Sequence, residues 1–253
     1  MSKYQRELEF IAGAVKEAFD AHGSFCAINE KQSFDLVTDA DVKIEEQITA
    51  AIRETFPGDP IMGEEHSPGI AVADRTWTVD PIDGTVNMAN SIPLFGVQCS
   101  MFDGGEPVVS VIYLPLWNEL YTAEKGEGAF LNGEKLACRE RPADRAIISF
   151  GDFSHRRPDD LTDEHRVMFY LSPRVSKIRM FGSAAVDFAL LVTQRIDGTM
   201  FFTKNQWDIA PGALLTREAG GVVTSFEGDY TLDSRAVVAA SCENIARLIK
   251  ESW

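Results

Sequence analysis

The chain has 253 residues, 45% hydrophobic and 25% charged, enough for one large domain or two closely joined ones of ordinary globular composition. Its 24 basic side chains stand against 39 acidic ones, a net charge of −15, which disfavours a nucleic-acid partner and suits divalent cations. Cys26, Cys99, Cys138 and Cys242 are scattered with no CxxC pair, which argues against a disulfide framework or a zinc site. No apolar run reaches about 18 residues, so reduced thiols, a cytoplasmic location and no membrane span are expected.

Apolar residues Leu8, Ile11, Val15, Ala18 and Phe19 recur at helical spacing from Tyr4 to His22, with Gly23 as a stop. A second helix follows from about Asp39 to Phe56, capped by Thr38 or Asp39 and ended by Pro57-Gly58. The middle is strand-rich: Thr76–Val79, Phe95–Phe102, Pro107–Leu114, Glu119–Ala123, Ala129–Leu131 and Lys135–Leu136, the last two joined by an Asn132-Gly133 hairpin turn. Later the pattern alternates. Strands are expected at Ala146–Phe150, Lys177–Met180, Thr199–Phe202, Val222–Ser225 and Ala236–Ala240. Helices are expected at Thr162–Tyr170, Ser183–Thr193, Trp207–Ala219 and Ser241–Lys250, the last capped by Ser241. Helices and strands mixed in this way predict stacked layers, with a joint at Arg141–Arg145.

The chemistry lies in the acids. Trp77-Thr-Val-Asp80-Pro81-Ile82-Asp83-Gly84-Thr85 delivers Asp80 from an apolar strand and returns Asp83 three residues later. Gly84 permits close backbone approach, and amides at a helix start beyond it would favour an anion. Taken singly, each acid has a plainer reading: Asp83-Gly84 as turn chemistry, Glu64-Glu65 as solvated charge, Asp208 as a helix cap, Asp41 as a first-turn acid. Those readings do not explain two acids placed just after an apolar strand. His22, His66, His155 and His165 form no zinc set and read as surface residues.

Taken together, the blocks resemble the inositol monophosphatase family of Mg²⁺-dependent, lithium-sensitive phosphatases. The resemblance rests on Asp35-Leu-Val-Thr-Asp-Ala-Asp41, Gly63-Glu64-Glu65, Trp77–Thr85, Tyr121–Phe130, Asn132-Gly133, Gly182–Ala185, and Trp207-Asp208 followed by Glu218–Gly221. It implies a layered αβαβα sandwich, a mixed α+β and α/β architecture with an N-terminal part (1–140) carrying most metal ligands and a C-terminal part (141–253) completing the site. It also implies a homodimer and two to three Mg²⁺ ions. Glu64, Asp80 and the Ile82 carbonyl would hold one ion; Asp80, Asp83 and Asp208 a second; Glu64 a third. Glu64 and Thr85 would orient the attacking water, with Asp83 also in the catalytic set, and the Gly84 and Thr85 amides would grip phosphate. Outer-shell or substrate candidates are Asp41, Glu65, Lys31, Gly182, Ser183, Ala184 and Phe201.

The implied reaction is hydrolysis of a small phosphate monoester by direct attack of a metal-activated water. Val86-Asn87-Met88 is nearer the inositol-type members than those acting on nucleotide bisphosphates. Phe201, however, stands where many members carry a Glu that binds substrate hydroxyls. Against that departure, inositol 1-phosphate or a related polyol or sugar phosphate stays the leading substrate. Histidinol phosphate, fructose 1,6-bisphosphate and a nucleotide bisphosphate are alternatives, as is a regulatory protein that keeps only the fold.

Overall fold

A computed structural model describes residues 2–23, 28–32, 35–153 and 158–253; for 28–32, 35–37 and 158–161 it describes the backbone alone. Cys26 and His155 lie outside the described residues, and so does the side chain of Lys31.

The first half begins with α1 (Gln5–His22), the short hairpin β1 (Ile28–Gln32) and β2 (Asp35–Thr38), and α2 (Asp39–Thr55). Thr38 caps α2 in a reciprocal capping box with Asp41: its hydroxyl accepts from the Ala40 and Asp41 amides, and its own amide donates to Asp41 Oδ2 at 2.8 Å. Next come β3 (Ile61–Gly63), β4 (Arg75–Asp83), α3 (Thr85–Ala89), β5 (Gly96–Asp103), β6 (Glu106–Leu114), β7 (Glu119–Glu124), β8 (Gly128–Leu131) and β9 (Glu134–Lys135). They form a seven-stranded sheet in chain order, antiparallel except for the β3–β4 pair. The Asn132-Gly133 turn has positive φ at both residues (48° and 85°), as the hairpin signal requires.

The second half contains β10 (Ile147–Phe150), α4 (Pro158–Leu171), β11 (Lys177–Met180), α5 (Ala184–Val192), β12 (Gly198–Phe201), α6 (Gln206–Glu218), β13 (Val222–Thr224), β14 (Val237–Ala240) and α7 (Glu243–Lys250). Its five strands run in the order β11-β10-β12-β14-β13.

Alternation along the strands sorts the side chains into three cores. Val97, Cys99, Met101, Val109 and Val111 join α1 and α2 in the first. Ile112 and Leu114 on the opposite face of β6 join α5, α6, Phe201, Val237 and Ala239 in the second. Met200, Val238 and Ala240 face α4 and α7 in the third. Helix pair, sheet, helix pair, sheet, helix pair is the expected five-layer αβαβα sandwich. Two capping expectations are corrected. The residue before α6 is Asn205, which places Asp208 inside the first turn. The closing helix starts after Cys242, and neither Cys242 nor Ser241 caps it through a side chain. Of the cysteines, Cys99, Cys138 and Cys242 are free thiols.

Candidate active site

On a regular strand, residues three apart point to opposite faces. Asp80 and Asp83 escape this because the β4–β5 register shifts between them: Asp80 pairs with Gln98, and Asp83 with Gly96. The irregularity falls at Pro81-Ile82, where proline supplies no ladder donor. Asp208 arrives from the first turn of α6, which packs against β4, β5 and β6. Single carboxylate oxygens of Asp80, Asp83 and Asp208 consequently lie within 4.8 Å of one another.

Each acid is held differently. Gln98 Nε2 donates to Asp80 Oδ2 at 3.1 Å, while Asp80 Oδ1 is buried with no hydrogen-bond partner. Ser183 Oγ and the Ala185 amide (2.6 Å) both donate to Asp83 Oδ2. Gln98 also reaches the Asp208 carbonyl at 3.4 Å. Burial, then the charges of Glu64, Asp83 and Asp208, push Asp80 well above the usual carboxylate range. Burial raises Asp83 to about 6, opposed mainly by the Ser183 bond. Burial and then Asp83 raise Asp208 to about 8. Crowded acids of this kind favour protons or a cation. The all-oxygen donor set and the orphaned Asp80 oxygen fit a hard divalent cation.

Glu64 follows β3, its amide donating to the Val79 carbonyl at 3.2 Å. It falls outside the 4.8 Å cluster yet lies near enough for its charge to bear on Asp80. The Ile82 carbonyl oxygen lies 2.9 Å from Thr85 Oγ1, whose single hydrogen goes either there or to Asp41. The same hydroxyl lies 2.9 Å from Asp41 Oδ1; Asp41 is fully buried and joins Thr38 at the α2 cap to Thr85 at the turn after β4. Gly84 has φ +93°, and a Cβ there would lie 2.9 Å from the Leu94 carbonyl oxygen; only glycine fits.

Beside Asp83 and Asp208 opens a cleft of about 210 Å³ lined by Gly151, Asp152, Gly182, Ser183, Ala184, Phe201, Phe202 and Thr203. Gly182, Ser183 and Ala184 are thus at the site. Phe201 is a core residue whose ring lies 5.3 Å from that of Phe188, tilted by 31°, and it also lines the cleft. His66, expected as plain surface, is bonded through Nδ1 to buried Glu45 at 2.8 Å. The Glu65 amide binds the same carboxylate. Gln98, Asp152, Glu45 and fully buried Asp187 were not foreseen. Asp187, raised far above its ordinary range by burial, stands near Asp83 and Asp152.

Layered sheets around an acid cluster that fits a divalent cation set the frame, and comparison supplies the family. The profile of the inositol monophosphatase family matches residues 1–253. The chain is 36% identical over 204 residues to a fructose-1,6-bisphosphatase/inositol-1-monophosphatase of Thermotoga maritima, covering 79% of this chain and 76% of the relative. It is 34% identical over 230 residues to the Nus factor SuhB of Pseudomonas aeruginosa, covering 88% and 84%. The solved inositol monophosphatase of Anabaena (Nostoc) superposes with a TM-score of 0.85 at 26% identity, covering 99% and 97%. The protein belongs to the inositol monophosphatase family and is a phosphatase of that family.

Proposed function

We propose that the protein is a Mg²⁺-dependent phosphatase for a small polyol or sugar phosphate, inositol 1-phosphate being the reference substrate. The observation that carries this reading is the convergence of Asp80, Asp83 and Asp208, together with a buried, unpartnered oxygen on Asp80. Glu64, Asp80 and the Ile82 carbonyl would hold one ion, Asp80, Asp83 and Asp208 a second, and Glu64 a third. When bound, Mg²⁺ neutralises phosphate charge and makes water more acidic.

The protein's own groups do the positioning. While Thr85 donates to Asp41, its lone pairs remain to accept a hydrogen from the attacking water. Glu64 would share that task, and the Gly84 and Thr85 amides would take phosphate oxygens. The parts 1–140 and 141–253 would enclose the site between them.

The cleft wall supports a polyol over a second phosphate. Asp152, Thr203 and the carboxylates can bond hydroxyls, Phe201 offers an apolar surface, and no lysine, arginine or histidine is among its described lining residues. The bisphosphatase name of the Thermotoga relative keeps fructose 1,6-bisphosphate as a second reading. The SuhB name of the Pseudomonas relative keeps a regulatory role as a third. Apolar Phe169 and Met180, exposed on α4 and β11, could serve a homodimer. Among the described residues no helix is long and apolar enough to cross a membrane, and the free thiols suit a cytoplasmic protein.

The test is phosphate release from polyol monophosphates, fructose 1,6-bisphosphate, histidinol phosphate and a nucleotide bisphosphate, with and without Mg²⁺. Preference for the polyol monophosphates, abolished by chelator, is expected. Preference for a bisphosphate would replace the substrate assignment, and no release from any of them would favour the regulatory reading.

A further inference from the structure

We infer that Glu45 is a positioning residue for Glu64 and thereby sets the protein's affinity for divalent cations. The inference rests on the reading of Glu64 as a cation ligand.

Glu45 lies on α2 one turn beyond Asp41 and one turn before Thr49, and all three side chains are buried. Positions i, i+4 and i+8 share one helix face. Its carboxylate collects three donors from the loop after β3. The Glu65 amide donates to Oε2 at 2.7 Å, the His66 amide to Oε1 at 2.9 Å, and His66 Nδ1 to Oε1 at 2.8 Å. A carboxylate only accepts, so Nδ1 carries the imidazole proton. On its other side Glu64 is tied to β4 through its amide and the Val79 carbonyl. Its backbone is therefore pinned before and after.

Gly63 makes the clamp possible: a Cβ there would fall 2.4 Å from Glu45 Oε1. Where stability alone is wanted, a buried acid is a poor choice, because an apolar side chain of similar volume often serves as well. What an apolar residue cannot do is hold two consecutive amides and an imidazole in one orientation. The residue so fixed is the one whose carboxylate must meet a cation, and outer partners that orient ligands control cation affinity strongly.

Glu45→Gln keeps the side-chain volume but turns an NH₂ toward one of the donors, freeing part of the loop. Calorimetric titration with Mn²⁺ in the absence of substrate should show binding weakened roughly tenfold. The Mg²⁺ concentration for half-maximal turnover should rise in parallel, with a smaller fall in turnover at saturating Mg²⁺. His66→Ala removes only the imidazole donor and should weaken Mn²⁺ binding about two- to threefold, a fraction of the full effect. Glu46→Gln, altering an exposed neighbour 3.8 Å from His66 Nε2, should leave binding unchanged.

A Glu45→Gln protein that melts lower yet binds Mn²⁺ like the parent would overturn the inference and leave Glu45 a fold residue only. If Glu45→Gln does not fold, unchanged Mn²⁺ affinity in His66→Ala overturns it instead. A parent protein that binds no Mn²⁺ would sink the cation reading of Glu64 itself and this inference with it.

Discussion

Thr85 Oγ1 sits 2.9 Å from Asp41 Oδ1, a contact spanning 44 residues that ties the start of one helix to the turn carrying the acids. Asp41 Oδ2 is already engaged by Thr38, so the carboxylate is shared between structure and site. Thr85→Val should lower turnover at saturating Mg²⁺ about 100-fold, the lower range for a lost proton-handling group. Thr85→Ser should keep most activity. Asp41→Asn should lose activity and also about 1–3 kcal/mol of stability, because an NH₂ would face a donor. Steady-state rates and melting curves on the three variants check this; full activity in Thr85→Val would remove the hydroxyl from the mechanism.

The acid cluster opposes folding when no cation is bound. Asp208→Asn should therefore reduce turnover by orders of magnitude yet raise the melting temperature of the chelated protein by about 2–4 °C, the scale of roughly 1 kcal/mol at this size. Added Mg²⁺ should stabilise the variant less than the parent. A large loss of stability in the chelated variant would show that Asp208 is needed for the fold.

Stability should also depend on pH in a set direction. Asp83 and Asp208 are raised to about 6 and about 8, against about 4 for an unfolded carboxylate. The folded chain then holds more protons than the unfolded one across that window, so stability falls as pH rises from about 4 to 8. Melting temperature of the chelated protein should drop between pH 5 and pH 8, and Mg²⁺ should add more at pH 8 than at pH 5. A flat profile in chelator would contradict the crowding.

Asp152 has no hydrogen-bond or ion-pair partner among the described residues, and it borders the cleft beside Asp83. Asp152→Lys should shift the ratio of kcat/KM for fructose 1,6-bisphosphate over inositol 1-phosphate upward by roughly tenfold, as a reversed local field would. An unchanged ratio would place the alcohol elsewhere.

Much of this was readable in the sequence because apolar spacing is local. Helices α1, α2 and α5 and strands β5–β8 fell where their periodicity put them, and three of the acids in the marked blocks, Asp80, Asp83 and Asp208, come together. Long-range partners were harder to read. Gln98 is a polar residue inside an apolar strand and Asp187 an acid inside an apolar helix; each was a visible anomaly, but the sequence does not say what it faces. Glu45 was hidden among the ordinary acids of α2, although its spacing of four from Asp41 was a usable signal. Asp208 looked like a cap because the true boundary lies three residues earlier, at Asn205.

The left-handed Gly84, shut in by the Leu94 carbonyl and Ser183, leaves no room for any other residue. The half of the pocket that would meet phosphate is therefore closed to tinkering, being drawn in main chain. The opposite half, where Asp152 and Thr203 stand, is written in exchangeable side chains. Descent from a common ancestor can thus retune which alcohol is released while inheriting the cutting machinery intact.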